Sequence, residues 1–318
     1  MEALQPKTLR IEVTDRVPGV TDPAFVDVWL FLPESNLDVT PRIAFGFPGG
    51  TYTKSYFHQE IPGHDNYSMA SWLVNRGIIF VACDHLATTG SSNSTSPIEL
   101  TESQVIRCDR VIVEEVLTRL AEGSLVEDFA PILDPLVIGV GHSLGGFLTV
   151  KHQARFRSFD AIAVLGWSHA VPGEIDPNAS TSAEEPTFAL DASLDPIRAM
   201  LNPFFYYSNV PQGVRDADNA LAIPMEMWML HTDIVTRSNS SAVDASRIDI
   251  PVFLAFSDHD ITEQPRDEPK FYTSADDITL LIVRDAGHST NFASNRTNLF
   301  SSVANWILAR SRVRTTSG

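Results

Sequence analysis

Six short apolar runs, almost unbroken by polar residues, constrain this chain more than any other feature: Ile43 to Phe47, Ile78 to Ala82, Leu136 to Val140, Ala161 to Leu165, Val252 to Phe256 and Thr279 to Val283. A strand with one wet face alternates apolar and polar residues, whereas a run apolar at nearly every position needs cover on both faces. Gly, Pro and Asp bound these runs, which suits strands of a parallel sheet layered between helices. The chain ahead of them reads differently. Leu9, Ile11 and Val13 share one face, and Val26, Val28, Leu30 and Leu32 share another beyond a Pro/Gly turn, which predicts an antiparallel opening. Helical spacing follows in Val105 to Leu120, where Ile106, Val113, Val116, Leu117 and Leu120 line one side. It returns at the end in Leu299, Phe300, Val303, Trp306, Ile307 and Arg310, with Thr297 and Asn298 as expected caps. The fold class expected is α/β, a mostly parallel sheet of eight strands with helices on both faces.

Composition narrows the function. Twenty-three basic residues against 40 acidic ones give a formal charge of −17, which repels nucleic-acid phosphates and anionic membrane surfaces. The partners expected are therefore small molecules, without nucleic acid or membrane; a homo-oligomer is compatible with the sequence. Met1 to Arg10 lack the apolar core of an export signal and no run is long enough to span a bilayer, so the expected location is the cytoplasm. Two cysteines, Cys83 and Cys108, suit reduced thiols rather than a disulfide scaffold.

About eighty residues, 169–248, separate two sheet strands where a crossover needs far fewer. This is read as an insertion. Val171 to Pro186 is rich in Pro, Asp, Ser and Glu, while the later part carries Phe204, Phe205, Tyr206, Tyr207, Met225, Met227, Trp228 and Met229. Those apolar side chains pack on one another or on a ligand.

The strongest local signal is Gly141-His142-Ser143-Leu144-Gly145-Gly146, directly after one apolar run and directly before a helical stretch. Gly-x-Ser-x-Gly alone is weak. Strand, tight glycine turn and helix in that order make a nucleophile elbow, in which a helix N-terminus faces developing negative charge. On these residues the sequence resembles the α/β-hydrolase superfamily, from about Ile43 to Arg310. That resemblance implies an α/β-hydrolase core of residues 1–168 and 249–318, with 169–248 as a cap.

It also implies a serine, an acid and a histidine in that chain order. Pro251-Val-Phe-Leu-Ala-Phe-Ser-Asp-His-Asp260 is similar to the family's strand followed by Gly-x-x-Asp, with Ser257 where Gly is usual. Asp260 is thus the expected acid, with Asp258 as a substitute. Gly287-His288 follows the last strand run, and His288 is the expected base. The resemblance further implies two oxyanion donors: the Leu144 N–H, and one from the loop Phe47-Pro48-Gly49-Gly50-Thr51-Tyr52, where Pro48 stands in place of the family's His. Gly50 is favoured there, with Thr51 the competing assignment.

Gly49, Thr51, Tyr52, His142 and Trp167 are expected to line the substrate site, with Asp84, His85, Gly90, Ser91 and His169 as weaker candidates. The set implies a serine hydrolase that cleaves a carboxylic ester through an acyl-enzyme on Ser143, a lactone or a bulky aromatic or apolar ester included. Acyl transfer, thioester cleavage and non-catalytic binding of a small molecule are the alternatives. No cofactor and no metal are expected: nucleotide-binding glycine motifs are absent, and neither Cys83-Asp84-His85 nor Asp258-His259-Asp260 has the spacing of a metal site.

Overall fold

The computed structural model describes residues 4–21, 23–34, 40–88, 100–169, 195–223, 240–262 and 264–311. Eight strands, β1 (Lys7–Glu12), β2 (Phe25–Phe31), β3 (Arg42–Phe47), β4 (Ile78–Cys83), β5 (Leu136–His142), β6 (Ala161–Leu165), β7 (Val252–His259) and β8 (Ile278–Gly287), form one sheet in the order β1-β2-β4-β3-β5-β6-β7-β8. β2 pairs antiparallel with β1 and with β4, and every other pairing is parallel. The expected antiparallel opening and mostly parallel remainder are both present.

Burial explains why the inner runs are apolar throughout. Ile43, Phe45, Phe47, Ile79 and Val81 pack on one side of the sheet with Val105 and Ile106 of α2 (Glu102–Glu122) and Phe147 and Leu148 of α3 (Leu144–Phe156). Ala44, Phe80, Ile138 and Val140 pack on the other with Leu73 of α1 (Met69–Val74) and Leu299 and Val303 of a C-terminal helix, Thr297–Leu308. Period-two alternation therefore feeds two cores rather than a core and solvent. β8 departs from the expectation: within Thr279 to Val283 only Val283 is fully buried, because β8 is the edge of the sheet.

Local chemistry sets the helix ends. Thr101 and Gln104 form a reciprocal capping box at the start of α2, and Gly123 closes it in the left-handed conformation, φ 70°. Thr297 and Asn298, expected as caps, lie inside the last helix, which starts after Arg296 without a side-chain cap. Its other end is tied down by buried Arg42, whose guanidinium donates to the carbonyls of Ile307 and Leu308 at 3.2 and 2.9 Å. A cation there satisfies free carbonyls and opposes the helix dipole.

Two consequences position the site. The chain leaves β3 for β4 on one side and returns to β5 on the other, so the loops after β3 and β5 diverge around a crevice at the carboxyl ends of the strands. And β6 and β7 are parallel neighbours although the segment expected as an insertion runs between them. Its described parts are α4 (Asp195–Phe205), α5 (Gln212–Ala220) and a helix at Ser240–Ser246. Val171 to Pro186, Met225, Met227, Trp228, Met229, Gly90 and Ser91 lie outside the described residues. Among the described residues no helix is long and apolar enough to cross a membrane.

A buried polar cluster joins the ends of β6 and β7 to the start and finish of that segment. Fully buried Glu268 accepts from the Ser168 hydroxyl at 2.6 Å and from the His169 N–H at 2.9 Å. The His169 ring in turn contacts the Ser241 and Tyr272 hydroxyls, each at 3.1 Å. Burial pushes the Glu268 carboxyl up to about 7, an effect only partly offset by Ser168, the His169 N–H and Lys270. Between its ordinary value of 4.5 and about 7 the fold holds a proton that the unfolded chain releases, so stability from this group is full at low pH and is lost as pH rises through 7. Glu268→Gln keeps an acceptor for the His169 N–H without the buried charge. Relative to wild type, the Gln variant should gain roughly 2 kcal/mol between pH 5 and pH 8, read from urea unfolding at the two values; an equal difference at both would contradict the assignment.

Candidate active site

Ser143 occupies the junction of β5 and α3 with φ 51° and ψ −119°. An L-residue pays of order 1–3 kcal/mol for such a backbone, and it persists only where the surroundings hold it. They do so closely. The Ser143 N–H donates to the Leu165 carbonyl at 2.7 Å, and its own carbonyl accepts the Phe147 N–H at 3.1 Å. Two glycines allow the turn: a Cβ on Gly141 would lie 2.2 Å from the Gly145 carbonyl oxygen, and one on Gly145 would lie 2.1 Å from that of Phe47. No side chain larger than hydrogen fits at either place. Leu144 opens α3, so its N–H is among those left without an intrahelical acceptor. The Ser143 hydroxyl makes no hydrogen bond to any described residue.

His288 stands just beyond β8, almost fully buried, with its Nδ1 2.6 Å from Asp260 Oδ1. Asp260 also accepts from the Ser257 and Ile261 N–H groups at 3.1 and 2.8 Å. Burial alone would raise the Asp260 carboxyl; the His288 imidazole, then the Ser257 N–H and His142, outweigh it and hold the carboxyl below the usual range. Asp258, the alternative acid, faces elsewhere and accepts from the N–H groups of Asp285 and Ala286 at 3.0 and 3.3 Å. Ser257 has a use of its own. Its hydroxyl donates to the Gly287 carbonyl at 2.6 Å and lies 2.8 Å from Thr290 Oγ1, tying the strand end that bears Asp260 to the loop that bears His288.

His142 sits between the elbow and that loop. Its Nε2 is 3.0 Å from the His288 carbonyl, so Nε2 carries the proton and donates; its ring stacks on Tyr56 at 4.4 Å and lies 4.9 Å from the His288 ring. Burial, then the neighbouring His288, hold its pKa down to about 3, which keeps it neutral. Gly49 runs against the elbow: a Cβ there would meet His142 Nδ1 at 3.0 Å and Ser143 Cβ at 3.1 Å. Thr51, in the same loop, is buried at φ 68°, unusual for a β-branched residue. Tyr52 is buried as well, its hydroxyl bonded to Asp218 and Ser289. Trp167 is half-buried with its ring 5.0 Å from Phe147.

The weaker candidates Asp84 and His85 are buried in polar contacts of their own. His85 is fully buried beneath the β3 loop, 2.9 Å from the Pro48 carbonyl and 3.7 Å from buried Asp109. Asp84 pairs with Lys54 at 2.5 Å. From the segment between β6 and β7, Phe205 stacks on His288 at 5.8 Å, and the carbonyls of Phe204 and Phe205 accept the N–H groups of His288 and Ser289 at 2.8 and 3.0 Å. Of the aromatic residues expected to pack on one another or on a ligand, Phe205 and Tyr206 are buried against the protein while Phe204 is half exposed.

No protein-family model matches the sequence, and no curated protein matches it. Solved structures do match in fold. A monoacylglycerol lipase from Paleococcus ferrophilus shares 14% identity over 90% of this chain and 99% of its own, with a TM-score of 0.59. A thermophilic esterase from Thermogutta terrifontis shares 10% over 94% and 98%, at 0.63. A bromoperoxidase from Bacillus anthracis shares 12% over 96% and 100%, also at 0.63.

The packing at the elbow generates a direct test. Gly145→Ala drives a methyl into the backbone of Phe47 and Pro48. We expect a loss of about 2–3 kcal/mol or more in urea unfolding, with the slope unchanged; a loss under about 0.5 kcal/mol would contradict the close approach.

Proposed function

We propose that this chain, which has the α/β-hydrolase fold, is a serine hydrolase that cleaves a carboxylic ester. The observation that carries the reading is the 2.6 Å contact of His288 with buried Asp260, in a chain whose Ser143 is held in strained elbow geometry. A protein that only binds a small molecule has no physical use for an imidazole oriented by an ionised carboxylate. Lipase and esterase neighbours favour ester chemistry. The bromoperoxidase among them is a reminder that the fold hosts more than one reaction, so the argument rests on the site.

In this reading the Ser143 hydroxyl attacks the ester carbonyl carbon, and His288 Nε2 takes its proton. Asp260 accepts from Nδ1–H, fixing the tautomer that leaves Nε2 free to do so and stabilising the imidazolium that forms. The oxyanion is received by the Leu144 N–H and by the N–H of Gly50, with Thr51 as the alternative donor. Collapse expels the alcohol, protonated by His288, and water hydrolyses the acyl-enzyme with the same proton traffic. Residues 1–168 and 249–318 form the core in this scheme, and 169–248 a cap that, with Gly49 and Trp167, shapes the pocket. The half-exposed ring of Phe204, next to the residue stacked on His288, favours an apolar or aromatic group on the substrate.

Hydrolysis of p-nitrophenyl and naphthyl esters tests this. Ser143→Ala and His288→Ala should each lower kcat by about 10⁴-fold or more, and Asp260→Ala by roughly ten to a hundred times less than that. A fluorophosphonate should label wild type and not Ser143→Ala. An undiminished rate in folded Ser143→Ala would end the proposal.

A further inference from the structure

We propose that Arg198, on helix α4 of the inserted segment, is a positioning residue for the oxyanion loop: it fixes Thr51 from behind and, through Asp218, locks that loop to the one bearing His288. The inference rests on the hydrolase reading above and goes beyond it by making two insertion helices part of the catalytic frame.

The geometry runs as a chain of buried contacts. Arg198 Nη1 donates to Thr51 Oγ1 at 2.8 Å, and Nη2 donates to Asp218 Oδ2 at 3.0 Å. Asp218, on α5, is fully buried and accepts as well from the hydroxyls of Tyr206 and Tyr52 and from Gln59 Nε2. Tyr52 spends its single proton on Asp218, so the Ser289 hydroxyl, 2.9 Å away, donates to Tyr52. Thr51 thus reaches this carboxylate through the Arg198 guanidinium, and Ser289 reaches it through the Tyr52 hydroxyl. The main chain doubles the link: the Ile223 N–H donates to the Thr51 carbonyl at 3.0 Å, while α4 accepts from His288 and Ser289 as described.

Stability alone is a poor account of this arrangement. A buried ion pair gives back little beyond its desolvation cost, and an apolar pair of equal volume holds two helices as well. What it supplies is direction. Thr51 has a left-handed backbone that a β-branched residue adopts only under restraint, and its side chain and its carbonyl are each held by a separate element of the insertion. Its N–H and that of Gly50 are the two candidate donors to the oxyanion, and transition-state stabilisation falls steeply when such a donor is misplaced by about an ångström. Groups that hold the donor act on the transition state more than on the bound ester.

The test uses the full chain and three variants: Thr51→Val, Arg198→Met, and Arg198→Met/Asp218→Asn, the last leaving no unpaired buried charge should the single Arg198 variant fail to fold. Folded protein is matched by circular dichroism and unfolding midpoint. For one p-nitrophenyl ester we expect kcat to fall tenfold or more in each variant, KM to change less than threefold, and affinity for a trifluoromethyl ketone, whose adduct needs the oxyanion donors, to fall by the same factor as kcat. Combining Thr51→Val with Arg198→Met should cost no more than the worse single change, because each removes the same Arg198–Thr51 bond. Folded variants with kcat within twofold of wild type, losses confined to KM, or multiplicative losses in the combination would each overturn the proposal. If wild type shows no Ser143-dependent turnover, it is the hydrolase reading that fails; turnover in wild type with unaffected variants sinks this inference alone.

Discussion

The molecule is organised around a serine backbone that no relaxed turn would choose. Ser143 keeps φ 51° because β5 must end, α3 must begin, and the loop after β3 must cross the same point. Three main-chain segments meet there at distances that exclude a methyl group on Gly141 or Gly145. The strain is held by ordinary means, one hydrogen bond to β6, one into α3, and the packing of α3 against β5, β6 and α2. A turn so constrained fixes one side chain and one helix-terminal N–H at the carboxyl end of β5, where the strand order opens a crevice.

Around that point the polar groups are buried in compensated sets. Asp260 meets His288, His85 meets Asp109 and the Pro48 carbonyl, Asp84 meets Lys54, and Asp218 meets Arg198 and two tyrosines. Each set lies under or beside a loop at the carboxyl end of the sheet, where irregular backbone must be fixed without the ladder that fixes a strand. Hydrophobic packing is non-directional and leaves a loop free to slide by fractions of an ångström. Charged hydrogen bonds set direction, at a cost in desolvation that the two large apolar cores can absorb.

What was legible in the sequence follows from the range of each interaction. The inner strands could be read because burial on both faces leaves a local record in consecutive residues, and the elbow because a steric constraint demands glycine at fixed offsets. Asp260 and His288 were reached through the family resemblance, on the motifs Ser257-Asp-His-Asp260 and Gly287-His288 that follow two of the apolar runs. β8 looked like a central strand because residues such as Leu280 and Leu281 say nothing of which neighbour is missing. Thr297 looked like a cap because capping preference is a weak local prior, and Arg42 secured the opposite end of that helix from a distant strand. Thr51 was named from its loop, but its partners Arg198 and Asp218 were beyond reach for the same reason: the contact joins positions 198 and 51, and no periodicity connects a helix between β6 and β7 to the loop after β3.

That contact also bears on how a substrate would reach Ser143 in the proposed reaction. A segment inserted between β6 and β7 is usually pictured as a lid, hinged at its ends and able to lift. Here α4 accepts the main-chain N–H groups of His288 and Ser289, and Ile223, just past α5, donates to Thr51. Lifting 195–223 as a body would break three main-chain bonds and the Arg198 link in one motion, freeing the imidazole loop and the β3 loop together. Such a lid would dismantle the centre it is meant to cover. In the proposed reaction, substrate entry therefore proceeds with α4 and α5 in place.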